Sequence, residues 1–408
     1  MKFRDYQGEI ITKGVDVIKQ HGFVYLAMQV RTGKTLTSLG IAKEMRAKRV
    51  LFITKKKAIS SIKSDYNMLK PNFSLDLINY ESLHKIEGSF DLIILDEAHN
   101  MKAYPKPTKG AKQVKIIIKK NDPLVILLSG TPTPESPSEM YHQVYAIPGN
   151  PFNRYMHFYD FAKEHVNVIK EMKNGYLVNN YDNGKQSIMD AMQPYFISFS
   201  QKEAGFKVKT NEHILHVKMN PLTYNIANKL KKDLVVEGSN EAILADTPVV
   251  LMQKLHQIYS GTVIFESKSS KVLDYSKAIF IKNKFKNQKI GIFYKFKEEL
   301  NALKEIFQDN ITTELEEFIN TNKSIALQIV SGREGISLRQ ADCLVYYNID
   351  FSATSYWQSR DRMTTKDREK NEVYWIFSEG GIEDKIYKAV VKKKKYTTNI
   401  FKKDLLNL

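Results

Sequence analysis

The sequence predicts an α/β protein built on two doubly wound parallel sheets, and three observations carry that prediction. Short apolar runs alternate with helix-periodic segments from Phe23 to Ser129, as strands joined by crossover helices do. The alternation fades between Pro148 and about Ser270 and resumes at Lys289, so two sheets are separated by other material. Polar or glycine-bearing tetrapeptides close several of the runs, at the edge where open α/β sheets bind ligands.

In chain order, Phe3 to Gln7 lead into a predicted helix from Gly8 to Gln20 and then into the apolar run Phe23 to Met28. A polar loop and a helix from Leu36 to Lys48 follow. Val50 to Thr54 is the next predicted strand, closed by Lys55-Lys56-Lys57. A helix near Ile59 to Leu69 and strands at Leu75 to Asn79, Asp91 to Leu95 and Leu124 to Leu128 complete the first alternation. Residues 148–270 are rich in Tyr, Asn and Lys, with turn signals at Asn174-Gly175 and Asn183-Gly184, and read as insertion, linker and helical protrusion. The second alternation has strands at Lys289 to Tyr294, Ile325 to Val330, Leu344 to Ile349 and Val373 to Phe377. Its helices fall near Glu298 to Phe307, Ser355 to Met363 and from Ile382. The expected division is 1–200 for the first domain, with a helical insertion from about 150, and 201–408 for linker, protrusion and second domain. Lys392 to Lys395 read as a solvated helix end that could also touch phosphate.

With 408 residues, 42% hydrophobic and 26% charged, the chain is globular and long enough for two or three domains. Its 62 Lys and Arg against 45 Asp and Glu give a formal charge of +17, the footprint of a polyanion binder, although AT-rich coding also enriches lysine. The one cysteine, Cys343, excludes internal disulfides and cysteine-cluster zinc sites and fits a reducing compartment. The N-terminal MKFRDYQGEI lacks the apolar core of a signal peptide, and no run approaches the ~20 apolar residues of a membrane helix. A soluble, cytoplasmic protein is expected.

The chemistry concentrates in two stretches. GFVYLAMQVRTGKT, Gly22 to Thr35, carries a strand through a short loop into a helix, the geometry of a phosphate cradle for a nucleotide such as ATP. In Thr32-Gly33-Lys34-Thr35, Gly33 permits close approach of the backbone, Lys34 reaches the β- and γ-phosphates, and the Thr35 hydroxyl suits Mg²⁺. The strict pattern GxxxxGK[ST] is not met, because Met28 stands at its first glycine and the loop carries Val30 and Arg31. The Asp91 strand ends in Asp96-Glu97-Ala98-His99, which puts two carboxylates at a strand's C-terminal edge. Asp96 can hold the Mg²⁺ that Thr35 touches, and Glu97 is placed to orient or deprotonate an attacking water.

With this loop, the DEAH tetrapeptide, Ser129-Gly130-Thr131-Pro132 and a Gln-x-x-x-Arg helix in that order, the chain resembles superfamily 2 helicases. It looks most like the compact Swi/Snf-type ATPases, especially the short versions of bacteriophages, from Tyr6-Gln7 to Arg362. The resemblance implies two RecA-like domains with ATP and Mg²⁺ in the cleft and DNA as partner, duplex and without sequence specificity. It implies a nucleic-acid-stimulated ATPase that translocates, acting as a monomer when free. Gln7 would recognise adenine with Arg4 and Tyr6 in support, while His99, Ser129 and Thr131 would link nucleotide state to domain movement. Thr54-Lys55-Lys56, Tyr80 and Ser331-Gly332-Arg333 resemble the nucleic-acid loops, and Gly335, in the last of them, the nucleotide contact.

The family's closing helix reads Gln-x-x-x-Arg-x-x-Arg. Gln358 and Arg362 fit its first two positions, and the third falls on Thr365. Arg362 is therefore expected as the principal γ-phosphate contact, Arg368 as a weaker helper, and Arg360 as a surface or DNA-facing residue. Arg31 departs from the family's usual glycine, and residues 309–324 are shorter than the corresponding region. A helicase that unwinds DNA or remodels RNA shares every motif named. A nucleic-acid clamp with a decayed ATPase sits poorly with intact Lys34, Thr35, Asp96 and Glu97, and a metabolic phosphotransferase gives no reason for the motifs to occur together.

Overall fold

Four of the five apolar runs of the first half bury both faces, as strands with helices on either side must, and the fifth, Leu75 to Asn79, is a half-buried edge. The elements are α1 (Asp5–His21), β1 (Phe23–Met28), α2 (Lys34–Glu44), β2 (Arg49–Thr54), α3 (Ile59–Leu69), β3 (Ser74–Asn79), β4 (Leu92–Leu95), α4 (Lys109–Asn121) and β5 (Leu124–Leu128). The computed structural model describes residues 3–173, 176–238, 241–332, 336–365 and 368–391. The chain divides into two units, Met1–Phe206 and Lys207–Leu408.

In the first unit the strands are parallel in the order β3-β2-β4-β5-β1, with one further strand beyond β1. Alternate residues sort by face. Val24, Leu26, Val50, Phe52 and Ile94 join the core beneath α1, α2 and α3, whereas Tyr25, Leu51, Ile53 and Ile93 join the core beneath α4. The chain steps one way along the sheet from β1 through β2 to β3 and the other way from β4 to β5. Right-handed crossovers therefore put α2 and α4 on opposite faces.

Segment 148–270 departs from the expectation of insertion and helical protrusion, because it also supplies an edge strand to each sheet. After α5 (Tyr141–Val144) and α6 (Phe158–His165) come an antiparallel hairpin, β6 (Ile169–Lys173) and β7 (Tyr176–Asn180), then α7 (Ser187–Met192) and β8 (Phe196–Phe199). The Asn174-Gly175 turn signal lies outside the described residues. β8 pairs in parallel with β1, from Tyr25 opposite Phe196 to Met28 opposite Phe199.

The second unit opens with β9 (Lys209–Val217), followed by α8 (Pro221–Asp233), β10 (Val235–Glu237), β11 (Ala242–Leu244), α9 (Pro248–Tyr259), β12 (Thr262–Ile264) and β13 (Ser270–Val272). Then come α10 (Ser276–Lys284), β14 (Ile290–Tyr294), α11 (Lys297–Phe307), β15 (Ile311–Thr312), α12 (Leu315–Asn320), β16 (Ser324–Gln328) and α13 (Ile329–Gly332). The chain closes with β17 (Cys343–Tyr346), α14 (Ala353–Arg360), β18 (Lys370–Ser378) and α15 (Glu383–Val391). The sheet is again parallel, in the order β15-β16-β14-β17-β18-β9. β9 is half-solvated and mixes polar with apolar residues, so nothing in its composition announces a strand. The expected strand to Val330 stops at Gln328, and the expected helix to Met363 gives way to a 3₁₀ turn at Asp361. Lys392 to Lys395 lie outside the described residues.

Candidate active site

Gly33 adopts φ +85 at the start of α2, and a Cβ there would come within 2.4 Å of Gln7 Nε2. Arg31 also enters the left-handed region, at φ +64, so the residue that replaces the family's glycine occupies a conformation glycine suits. The loop is held by the segment after β8. Gln29 N–H donates to Phe199 O (2.9 Å), Gln201 N–H to Gln29 Oε1 (2.7 Å) and Gln201 Nε2 to Val30 O (3.0 Å). Buried Thr32 donates its hydroxyl to Gln29 O at 2.7 Å. These braces come from about 170 residues away, and only the fold brings them in.

Arg4, Tyr6 and Gln7 all lie against this loop. The Tyr6 hydroxyl donates to Thr32 O (3.1 Å) while its ring stacks on Phe199, centroids 4.6 Å apart, and Arg4 donates to the Tyr6 oxygen (2.8 Å). Gln7 accepts from Arg4 N–H (3.1 Å), and its Nε2 donates weakly to Gly33 O (3.4 Å). Lys34 opens α2 and extends to the end of β5, where a Cβ on Gly130 would stand 3.4 Å from its Nζ.

Pairing of Ile53 with Leu95 sets Thr54 beside Asp96 on the neighbouring strand. The Thr54 hydroxyl donates to Asp96 Oδ2 (2.7 Å), Glu97 N–H to Asp96 Oδ1 (3.0 Å) and the Tyr80 hydroxyl to the Asp96 carbonyl (2.7 Å). Burial pushes the Asp96 carboxyl up to about 6, the Glu97 charge adding to the effect while Lys34 and the Thr54 hydrogen bond oppose it. Glu97 sits at φ +50, a strained conformation for a residue with a Cβ. Its Oε2 is buried, accepts no hydrogen bond and lies 3.3 Å from His99 Nδ1. Adjacent carboxylates, one of them raised, favour a further cation. Mg²⁺ suits such a set, since it takes one or two carboxylates and a hydroxyl and leaves its other positions to water and phosphate. Asp96 and Thr35 would hold it. Among the described residues no cluster of three or more His, Cys, Asp or Glu offers an alternative metal cage.

His99, 2% exposed, places Nδ1 3.0 Å from Ser129 Oγ, which accepts the Thr131 N–H at 3.0 Å. The three residues expected to act together are thus joined across the loops that follow β4 and β5. Thr54, expected at the nucleic acid, is instead a fully buried support of Asp96, whereas half-buried Tyr80 supports the Asp96 carbonyl through its hydroxyl. Strand register is the reason for Thr54, and register cannot be read from one strand alone. Lys55 is half-buried and Lys56 exposed at the end of β2. Lys55 and Tyr80 line a groove of about 550 Å³ together with His84, Asn100 and Lys109.

In the second unit, Arg333 and Gly335 lie outside the described residues, as do the side chains of Ser331 and Gln358. Gly332 is buried, and a Cβ there would meet Leu327 Cβ at 2.8 Å, so only glycine fits against the core at this position. Arg362, in the 3₁₀ turn, donates to Ile336 O at 3.3 Å. Arg360 is not the surface or DNA-facing residue expected. It pairs at 2.8 Å with Glu212, which also accepts from Tyr356, Trp375 and Tyr387. The unforeseen β9 strand puts that carboxylate there. Arg368 donates to the carbonyls of Arg339, Ala341, Asp342 and Lys370, so its guanidinium fastens the turn before β17 instead of standing ready as a helper.

Among the described residues no helix is long and apolar enough to cross a membrane. The sequence matches the family described as SNF2-related domain over residues 28–280. No curated protein matches it. Two solved structures are similar to it. One is the Sulfolobus solfataricus SWI2/SNF2 ATPase core in complex with dsDNA, 17% identical, with a TM-score of 0.43, covering 99% of this chain and 92% of that one. The other is the Sulfolobus solfataricus SWI2/SNF2 ATPase core domain, 16% identical, with a TM-score of 0.44, covering 96% and 89%. The family match takes in more than half of the 408 residues, and the chain, folded as two α/β units each with a six-stranded sheet, belongs to the SNF2-related family.

Proposed function

We propose that the chain is an ATP-driven motor on duplex DNA, which hydrolyses ATP at the loop edge of its first unit and steps along one strand's phosphates. The observation that carries this reading is the inequality between Asp96 and Glu97. Asp96 is fixed by hydrogen bonds to both carboxylate oxygens and to its carbonyl, as a metal ligand needs to be. Glu97 Oε2 accepts no hydrogen bond and is left to take a proton from water. Mg²⁺, when bound, neutralises charge on the phosphoryl oxygens. Lys34 and the N-terminal amides of α2 hold the phosphates, and the Swi/Snf resemblance supports Arg362 as the source of positive charge at the γ-phosphate. The chain of contacts from Glu97 through His99 and Ser129 to Thr131 carries the nucleotide state into the loop after β5. A formal charge of +17 supports a polyanionic partner, and the Swi/Snf resemblance supports duplex DNA tracked without strand separation.

The test is ATP turnover with no nucleic acid, single-stranded DNA, duplex DNA and RNA. Duplex DNA should stimulate most, and two duplexes of equal length and different sequence should stimulate alike. Stimulation by RNA alone would reassign the partner.

A further inference from the structure

Residues 100–121, from the DEAH loop through α4, hold seven lysines and no Asp or Glu. Lys106, Lys109, Lys112, Lys119 and Lys120 are exposed, and none of these five has a carboxylate partner among the described residues. Lys115, the next in the series, lies over the Tyr145 ring, 4.2 Å from its centroid.

The placement works against the helix itself. Lys109 is the first residue of α4 and Lys112 completes its first turn, with no acidic residue there, so both stand at the positive end of the helix dipole. Lys112, Lys115 and Lys119 follow at spacings of three and four, the like-charge arrangement that destabilises a helix by a few tenths of a kcal/mol per pair. By contrast α1 mixes Lys13 and Lys19 with Asp5, Glu9 and Asp16. A helix only required to be soluble has no need of such a one-sided face. A polyanion laid along it removes both penalties.

α4 begins at the edge of the sheet that carries the site, since Lys109 and Thr108 line the 550 Å³ groove with Lys55 and His84. As the crossover from β4 to the parallel strand β5, it then runs back along the face opposite α2. We infer that the exposed lysines of α4 form a second backbone contact for duplex DNA, outside the loops at the strand ends, which takes up the duplex as it leaves the groove. This rests on the reading of the chain as a DNA motor. A helix of 13 residues is about 20 Å long, enough to follow roughly six base pairs.

The experiment compares Lys109→Gln/Lys112→Gln/Lys119→Gln with a control of equal charge change on the other face, Lys13→Gln/Lys19→Gln/Lys43→Gln, all exposed positions. Duplex affinity is measured against salt, and turnover without DNA is measured alongside. The α4 variant should lower the slope of log K against log[salt] by about 0.9 per lysine removed. Its DNA-free turnover should match the wild type, its thermal unfolding should be equal to or slightly above the wild type's because helix-dipole and like-charge penalties are relieved, and the control's slope should stay within one contact of the wild type. Equal slopes in both variants would overturn the inference, whether both fall or neither does. A wild type that binds no duplex would instead remove the motor reading beneath it.

Discussion

The two units set the same scaffold to different ends, and the contrast shows in how each treats its buried charges. In the second unit the buried carboxylates are paired off. Lys277 and Glu383, both fully buried, meet at 2.8 Å, Lys295 meets Asp350 at 2.7 Å, and Glu299 accepts from Asn348 and from the Lys295 and Phe296 amides. In the first unit, Asp96 and Glu97 adjoin each other near one lysine, and Glu97 Oε2 is buried without a hydrogen bond. Among the described residues Glu97 Oε2 is the one buried carboxylate oxygen without a hydrogen bond, and it lies at the strand-end edge of the first sheet, as a site awaiting a ligand would require.

The strongest way to break this comparison is to neutralise the unsatisfied carboxylate. Glu97→Gln should lower DNA-stimulated turnover by about 10²–10⁴-fold, the usual worth of a general base, while ATP binding persists. Lys34→Ala should weaken ATP binding itself. Wild-type turnover in Glu97→Gln would remove the assignment of the base.

The next largest effect separates the two arginines of the second unit. Arg362→Ala should lower stimulated turnover by about 10³-fold with DNA affinity and unfolding temperature unchanged. Arg360→Ala should instead lower the unfolding temperature, because Glu212 loses its charged partner beneath Trp375. A turnover defect in a fully stable Arg360→Ala protein would reverse the two roles.

This pair also marks how far the sequence could be read. The strands of both sheets that run through apolar cores were legible, because burial on two faces forces continuous apolar runs, and the phosphate loop and DEAH were legible because their chemistry is local. β8 and β9 were not. They are short or half-solvated edge strands, and from them come the Phe199 and Gln201 braces of the phosphate loop and the Glu212 partner of Arg360. Thr54 was misplaced for a related reason. Its role depends on which residue stands beside it across the sheet.

A third, smaller effect comes from Asp96. Its carboxyl is raised to about 6 in the folded chain, so folding favours the protonated form. The stability this gives is present at low pH and is lost as pH rises through about 6, leaving the ionised group a liability at neutral pH. Asp96→Asn should therefore stabilise the nucleotide-free protein at pH 8 by something on the order of 2 kcal/mol, with the gap closing toward pH 4. Mg²⁺, when bound, should favour the ionised carboxyl and move this titration to lower pH. Thermal unfolding at the two pH values reads the first effect, and an unchanged gap between them would mean that burial is not what raises the group.

The smallest effect concerns Arg31, and here the two units should behave alike. Its φ of +64 is a backbone cost that the chain bears in the phosphate loop, and Lys268 of the second unit bears a similar one at φ +68. Replacing either residue with glycine removes the clash of Cβ with its own backbone but loosens the unfolded chain, so the net gain over the natural residue is small. The comparison with alanine isolates the backbone term, since alanine also removes the side chain yet keeps the clash. At both positions the glycine variant should be more stable than the alanine variant by about 1 kcal/mol. Denaturant unfolding of the four variants tests this. Equal stability of Arg31→Gly and Arg31→Ala, with the expected difference at Lys268, would show that the phosphate loop relaxes out of the left-handed conformation once the arginine is gone. The braces from Phe199 and Gln201 would then hold the loop in place without fixing its turn.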